Sequence, residues 1–183
     1  ASIPRENTQL LNPLDSLLSC SPLLESHFDF QVTELQSGLY NCYFPLPEIP
    51  GMVVRSLISV ARKNNRTEFI RLTLFPATKG SAFPLANGKH KGLVCANQNE
   101  IYFFGVNKRA PYQLSLMTIE KSSGTNPGFY TGMMLSRRGN KPLSTRLSLV
   151  QADSGLSLKS NLKSLGLIHE TDISLTKLRF AGM

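Results

Sequence analysis

Short apolar runs separated by polar, turn-forming groups make up most of this chain, and the clearest lie in residues 93–120. Leu93-Val94-Cys95-Ala96 is followed by Asn97-Gln98-Asn99-Glu100 and then by Ile101-Tyr102-Phe103-Phe104-Gly105-Val106. The second run has the aromatic and β-branched residues that suit a pleated, half-buried surface, so the stretch predicts a hairpin. Another break, Asn107-Lys108-Arg109-Ala110-Pro111, precedes residues 112–119, in which Leu114 and Leu116 share one face and Ser115 and Met117 the other.

The same alternation recurs elsewhere. Phe28, Phe30 and Val32 alternate with Asp29, Gln31 and Thr33, and further strands are expected over 39–44, 52–61, 67–75, 129–136, 143–150 and, to close the chain, 172–180. Between the third and fourth of these, Arg62-Lys63-Asn64-Asn65-Arg66 supplies two asparagines that tolerate the left-handed backbone of a tight hairpin. In 67–75, Thr67, Phe69, Arg71 and Thr73 share a face opposite the more apolar Glu68, Ile70, Leu72 and Leu74. Arg71 is therefore expected to face solvent, the alternative being a cation on a concave sheet face.

Residues 45–51 hold three prolines, which remove ladder donors and mark a rigid loop, read either as a plain connection or as a cover for a cavity mouth. Residues 76–92 lack periodicity and read as a long loop. Its end, Asn87-Gly88-Lys89-His90-Lys91-Gly92, has the glycines and cations of an anion-binding loop without the Walker spacing. Leucines grouped around Ser21-Pro22 predict one or two short helices over 12–28, with Ser as cap and Pro in the first turn, and another short helix is expected at 159–165.

Many short strands with hairpin signals between neighbours, and no helix long enough for repeated parallel crossovers, define the fold class. It is mainly β, an antiparallel meander forming a barrel or strongly curved sheet. Residues 1–27 form an N-terminal arm with the short helices, and 28–183 a single β-rich domain. The length of 183 residues suits one core. No apolar run approaches the roughly 18 residues of a membrane span, and the start ASIPRENTQLL lacks the pattern of a signal peptide, so a cytoplasmic protein with no membrane partner is expected.

The net charge of +8 conceals an asymmetry. Residues 1–50 carry six acids and one base, whereas residues 51–146 carry fifteen Lys and Arg against Glu68, Glu100 and Glu120. Such a field attracts nucleic acid, phosphorylated ligands or an acidic partner.

Catalytic chemistry is not evident. His27, His90 and His169 have no metal-ligand spacing, Cys20, Cys42 and Cys95 form no CxxC pair, and there is no GxSxG or GxGxxG. No catalytic residue, metal or cofactor is expected, and the protein is read as a non-enzyme. The candidate ligand or anion contacts are Arg71, Lys89, His90, Lys91, Lys108 and Arg109, with Tyr102 and Tyr112 as aromatic contacts and Met133 and Met134 as conformable lining. Basic residues beside aromatics also suit stacking of nucleic-acid bases on a sheet, the second reading. The third is a bacterial effector acting through protein contacts.

The segments GLYNCYFPLP, VVRSLISVAR, GKHKGLVCANQNEIYFFGVNKR, YQLSLMTIE and FYTGMMLSRRGNKPLSTRLSL, within residues 38–150, resemble the region that follows the helix-turn-helix in some bacterial transcriptional regulators of the XRE-like type. The resemblance implies a cytoplasmic, dimeric effector or sensor domain, with DNA contacted by helices preceding Ala1; the basic middle segment makes an anionic small molecule the expected ligand. Nothing in residues 1–37 has the length for a helix-turn-helix.

Overall fold

The computed structural model describes residues 26–75, 87–107, 113–121, 128–138 and 141–173. Eight antiparallel strands, each paired with its neighbours in sequence, form a closed up-and-down barrel: β1 (Gly38–Pro45), β2 (Met52–Lys63), β3 (Arg66–Thr73), β4 (Gly88–Asn97), β5 (Glu100–Asn107), β6 (Gln113–Lys121), β7 (Phe129–Arg138) and β8 (Lys141–Gln151). Closure comes from β1, which pairs with β2 along one edge and with β8 along the other, Cys42 facing Ser56 and Leu149 in the two registers. The mainly β meander read from the pattern is thus present, in its barrel form. Closure leaves no edge strand within the ring, which removes the unpaired backbone that an open sheet presents.

The tight turns follow from their residues. Asn64 and Asn65 take φ of 49° and 59°, as the hairpin between β2 and β3 requires, and Gln98 takes φ of 54° between β4 and β5. After β8 the chain forms α1 (Leu158–Lys163), whose N-cap Ser157 Oγ accepts a hydrogen bond from the Ser160 N–H at 3.1 Å. A short strand, β9 (Gly166–His169), then pairs with the first residues of β2, where β3 does not reach. The strand expected at 172–180 is not seen in its described part: Asp172 ends a 3-10 turn (Glu170–Asp172), and 174–183 lie outside the described residues. The helices expected at 12–28 also fall almost wholly outside them.

Two other expectations are corrected. Residues 28–33 do not form a strand. They form one isolated β-bridge, Asp29 to Ala96, and then run across one end of the barrel. This strap drives Val32 and Leu35, both with no exposed surface, into the core. Thr67 N–H donates to the Phe30 carbonyl, Tyr130 Oη to Glu34, and Tyr40 Oη to Gln36. The second correction concerns the long loop, which is shorter than expected because β4 already begins at Gly88.

Inward side chains alternate along every strand. The half of the lumen nearest the strap is filled by Tyr40, Phe69, Phe103, Ile119, Tyr130, Leu147 and Leu149, each no more than 3% exposed. Two edge-to-face ring pairs brace this layer, Phe69 with Phe103 at 5.1 Å and Tyr40 with Tyr130 at 6.3 Å between centroids. The other half is different in kind, and it holds the candidate site.

A buried cationic site in the barrel

β3 turns its less apolar face inward, the reverse of the expectation that Arg71 faces solvent. Thr67, Phe69, Arg71 and Thr73 are buried in the lumen, and Ile70 is on the outer wall at 36% exposure. Arg71 is only 4% exposed and lies beside Ile58 and His90 in the β2 and β4 registers. Its guanidinium reaches across to β6 and β7, where Nη1 lies against the thioether sulfurs of Met117, at 3.2 Å, and Met134. Those two methionines are direct partners in the β6–β7 ladder.

Among the described residues the buried Nε of Arg71 has no hydrogen-bond partner. No carboxylate of that set is placed to pair with it. Glu68, Glu100 and Glu120, the only acids of residues 51–146, occupy outward positions, and Glu68 is engaged with Lys91 at 3.6 Å. The group able to carry negative charge that acts on it is the Cys42 thiol. Burial pushes that thiol up to about 11, with Arg71 pulling in the opposite direction, so it is neutral near pH 7. Burial also holds the Arg71 pKa below its ordinary value, with Cys42 opposing. Arginine nonetheless stays protonated in proteins, so the lumen contains a full positive charge facing thioethers, which are weak acceptors.

His90 completes the cluster. It is 8% exposed, and its Nδ1 is 3.0 Å from Ser115 Oγ on β6, which donates in turn toward the Gly105 carbonyl. Burial first, and the Arg71 charge second, hold His90 down to about 3 against an unfolded value near 6.5. The unfolded chain therefore binds more protons than the folded one between these limits, and stability should fall as pH drops through that window and be flat above it. The slope of unfolding free energy from about pH 7 to pH 4 should be shallower in His90→Gln than in the parent. Equal slopes in urea titrations would contradict a buried neutral His90.

Of the other expected contacts, Lys89 and Lys91 flank His90 but point to the outer wall, since successive strand residues alternate. They cannot cradle one anion together with His90, and the anion-loop reading of residues 87–92 gives way to a strand. Tyr102 is also on the outer wall, stacked beside Phe104, with Phe28 edge-on to both at 5.4 and 6.5 Å. Lys108, Arg109 and Tyr112 lie outside the described residues; Asn107 and Gln113, which flank them, pair with each other next to His90. Met134 lines the lumen, whereas Met133 is 49% exposed outside it.

Pattern reading missed Cys42 and Met117 as neighbours of Arg71, and Ser115 as the partner of His90. The signal was present in the strand count: eight neighbouring hairpin strands make a closed ring, so the inward faces of β1, β3, β4 and β6 converge.

At the strap end a cleft of about 290 Å³ lies beside the β2–β3 turn. Its Arg62 donates to the Val32 and Thr33 carbonyls, so that cation helps to hold the strap. Among the described residues no cluster of three or more metal-ligating side chains is present, and no helix is long and apolar enough to cross a membrane. Searches with family models, among curated proteins and among solved structures return no match to the chain.

Proposed function

We propose that this chain is a non-catalytic, ligand-sensing barrel domain that takes an anionic small molecule into the strap-distal half of its lumen. The observation that carries the reading is Arg71, a buried guanidinium whose Nε has no partner among the described residues. Burying an unpaired charge is strongly unfavourable, and an ionisable group so perturbed within a lumen is a candidate binding group. Eight-stranded barrels are of a size to hold one small ligand when side chains do not fill the interior. The polar lumen residues Thr73, His90, Ser115 and Thr145 supply the few directional contacts that small-molecule sites use to orient a ligand.

The resemblance to the region following the helix-turn-helix of XRE-like regulators gives this binding a role, sensing in a cytoplasmic, dimeric transcription factor. In that role the lumen reads the ligand and DNA is contacted by a helix-turn-helix absent from this chain.

The first test is a thermal-shift comparison of benzoate with benzamide, which share shape and differ in charge. Benzoate should raise the melting temperature in a concentration-dependent way, with roughly 2.7 kcal/mol of stabilisation at a hundred times its Kd, and benzamide should not. Equal shifts, or none from either, would reject the reading.

A further inference from the structure

The layered lumen says more about the ligand than its charge. On the strap side of Arg71, the Phe69–Phe103 and Tyr40–Tyr130 ring pairs fill the section, and Val32 and Leu35 of the strap stop the end. Interiors packed in this way leave no room for added methylenes without forcing side chains and backbone apart. On the other side, Arg71 is followed in β3 by only Leu72 and Thr73, about 7 Å of strand at roughly 3.3 Å per residue. One wall of that short section is apolar, made by Phe44 and Val54 with Leu46 of the 46–51 turn, all no more than 9% exposed. The turn is fixed by its own bonds, Ile49 N–H to the Leu46 carbonyl and Met52 N–H to the Ile49 carbonyl. The rest of the ring carries Thr73, His90, Ser115 and Thr145 on β3, β4, β6 and β8.

Resting on the proposed function, we infer that the ligand is a compact monocarboxylate, with its carboxylate on Arg71 and a short apolar body against Phe44, Leu46 and Val54, and is not a long-chain fatty acid. One buried guanidinium matches one carboxylate, which it can receive in a two-point hydrogen-bonded pair. Neither neighbouring titratable group, His90 or Cys42, brings a second positive charge near pH 7. A phosphate monoester dianion would leave a charge unmatched in the lumen. An acyl chain longer than a few carbons has no unfilled path past the ring layer.

Isothermal titration of the full chain with benzoate and with unbranched monocarboxylates from acetate to dodecanoate, with phenyl phosphate as the dianion, tests this, run in parallel on Arg71→Met. Affinity should rise over the first few carbons and then level, phenyl phosphate should bind more weakly than benzoate, and Arg71→Met should lose the carboxylates. An Arg71-dependent affinity that keeps rising about fourfold per added CH₂ up to dodecanoate, the effect of roughly 0.8 kcal/mol per buried methylene, would overturn the compact ligand while leaving the anion site intact. Tighter binding of phenyl phosphate would overturn the monocarboxylate assignment alone. Binding that survives Arg71→Met, or no binding by any member, would overturn the inference together with the function on which it rests.

Discussion

Arg71→Met should make the unliganded protein more stable and at the same time abolish its response to anions. The two effects have one cause. A guanidinium taken from water into the lumen loses its hydration, and Met117 and Met134 sulfurs return little of it. Methionine is unbranched, of suitable length and conformable, and would join two methionines already present. Replacement of buried ion pairs by packed apolar groups is often neutral or stabilising by about 1–4 kcal/mol, and Arg71 has no counter-charge among the described residues to lose. For a domain of this size each kcal/mol moves the melting temperature by roughly 2–4 °C. The expected result is a rise of several degrees in the absence of ligand and no further rise with benzoate. A fall in melting temperature would show that Arg71 is held by favourable interactions within the fold, and the case for a ligand-completed charge would be lost. Opposite signs for stability and function are the mark of a group retained for binding.

How much of this was legible beforehand differs by level. The hairpins were, because their signal is local: Asn64-Asn65 take the positive φ that their residue type tolerates, and the polar run around Gln98 marks the second turn. Strand positions followed from period-two alternation. The inward face did not, in two strands that matter. In β3 the inward set Thr67, Phe69, Arg71, Thr73 is more polar than the outward Ile70 and Leu72, and in β6 Ser115 is buried while Leu114 is 57% exposed. The rule that the apolar face is the core face fails there because half of the lumen is polar, and a polar lumen is a property of the assembled ring. The strap failed for a related reason. Phe28, Phe30 and Val32 alternate like a strand, but the tertiary demand on residues 28–36 is to stopper a barrel with Val32 and Leu35, which are three positions apart.

The candidate site was legible residue by residue and illegible as a group. Arg71 and His90 were each identifiable, yet the charges adjacent to His90 in sequence, Lys89 and Lys91, are the ones that strand geometry directs away from it. Arg71 is distant in sequence and adjacent in register. Sequence clustering of cations therefore pointed to the outer wall, while the chemistry sits where β3, β4, β6 and β7 converge.

Gly92→Ala and Gly132→Ala should each prevent formation of the barrel. A Cβ at Gly92 would stand 1.8 Å from the Phe104 carbonyl oxygen and 2.7 Å from Gly105 Cα, and one at Gly132 would stand 1.9 Å from the Thr118 carbonyl oxygen and 2.8 Å from Ile119 Cα. These are backbone atoms of paired strands, so no rotamer change relieves the contact. Both glycines lie where a strand presses closely on its neighbour, β4 on β5 and β7 on β6, as sharply bent barrel corners require. The facing Gly105 serves the same bend from the other strand, and the Phe69 ring takes the space its side chain would fill, 2.7 Å from the position of a Cβ. Separating the strands enough to admit a methyl group breaks ladder hydrogen bonds on both sides and opens the layer formed by Phe69 and Phe103. The expected cost exceeds the ~4 kcal/mol that marks an exceptional single substitution, against a total stability of roughly 5–15 kcal/mol for a domain. Gly155→Ala is the control, since a Cβ there meets only the Asp153 carboxylate at 3.3 Å in an exposed turn, and should change stability by less than about 0.5 kcal/mol. Circular dichroism and urea unfolding should show no cooperative transition for Gly92→Ala or Gly132→Ala. A folded barrel with a melting temperature lowered by less than about 4 °C, or some 1 kcal/mol, would mean that the strands can separate at these corners. The ring layer that closes the lumen below Arg71 would then be open to a longer ligand.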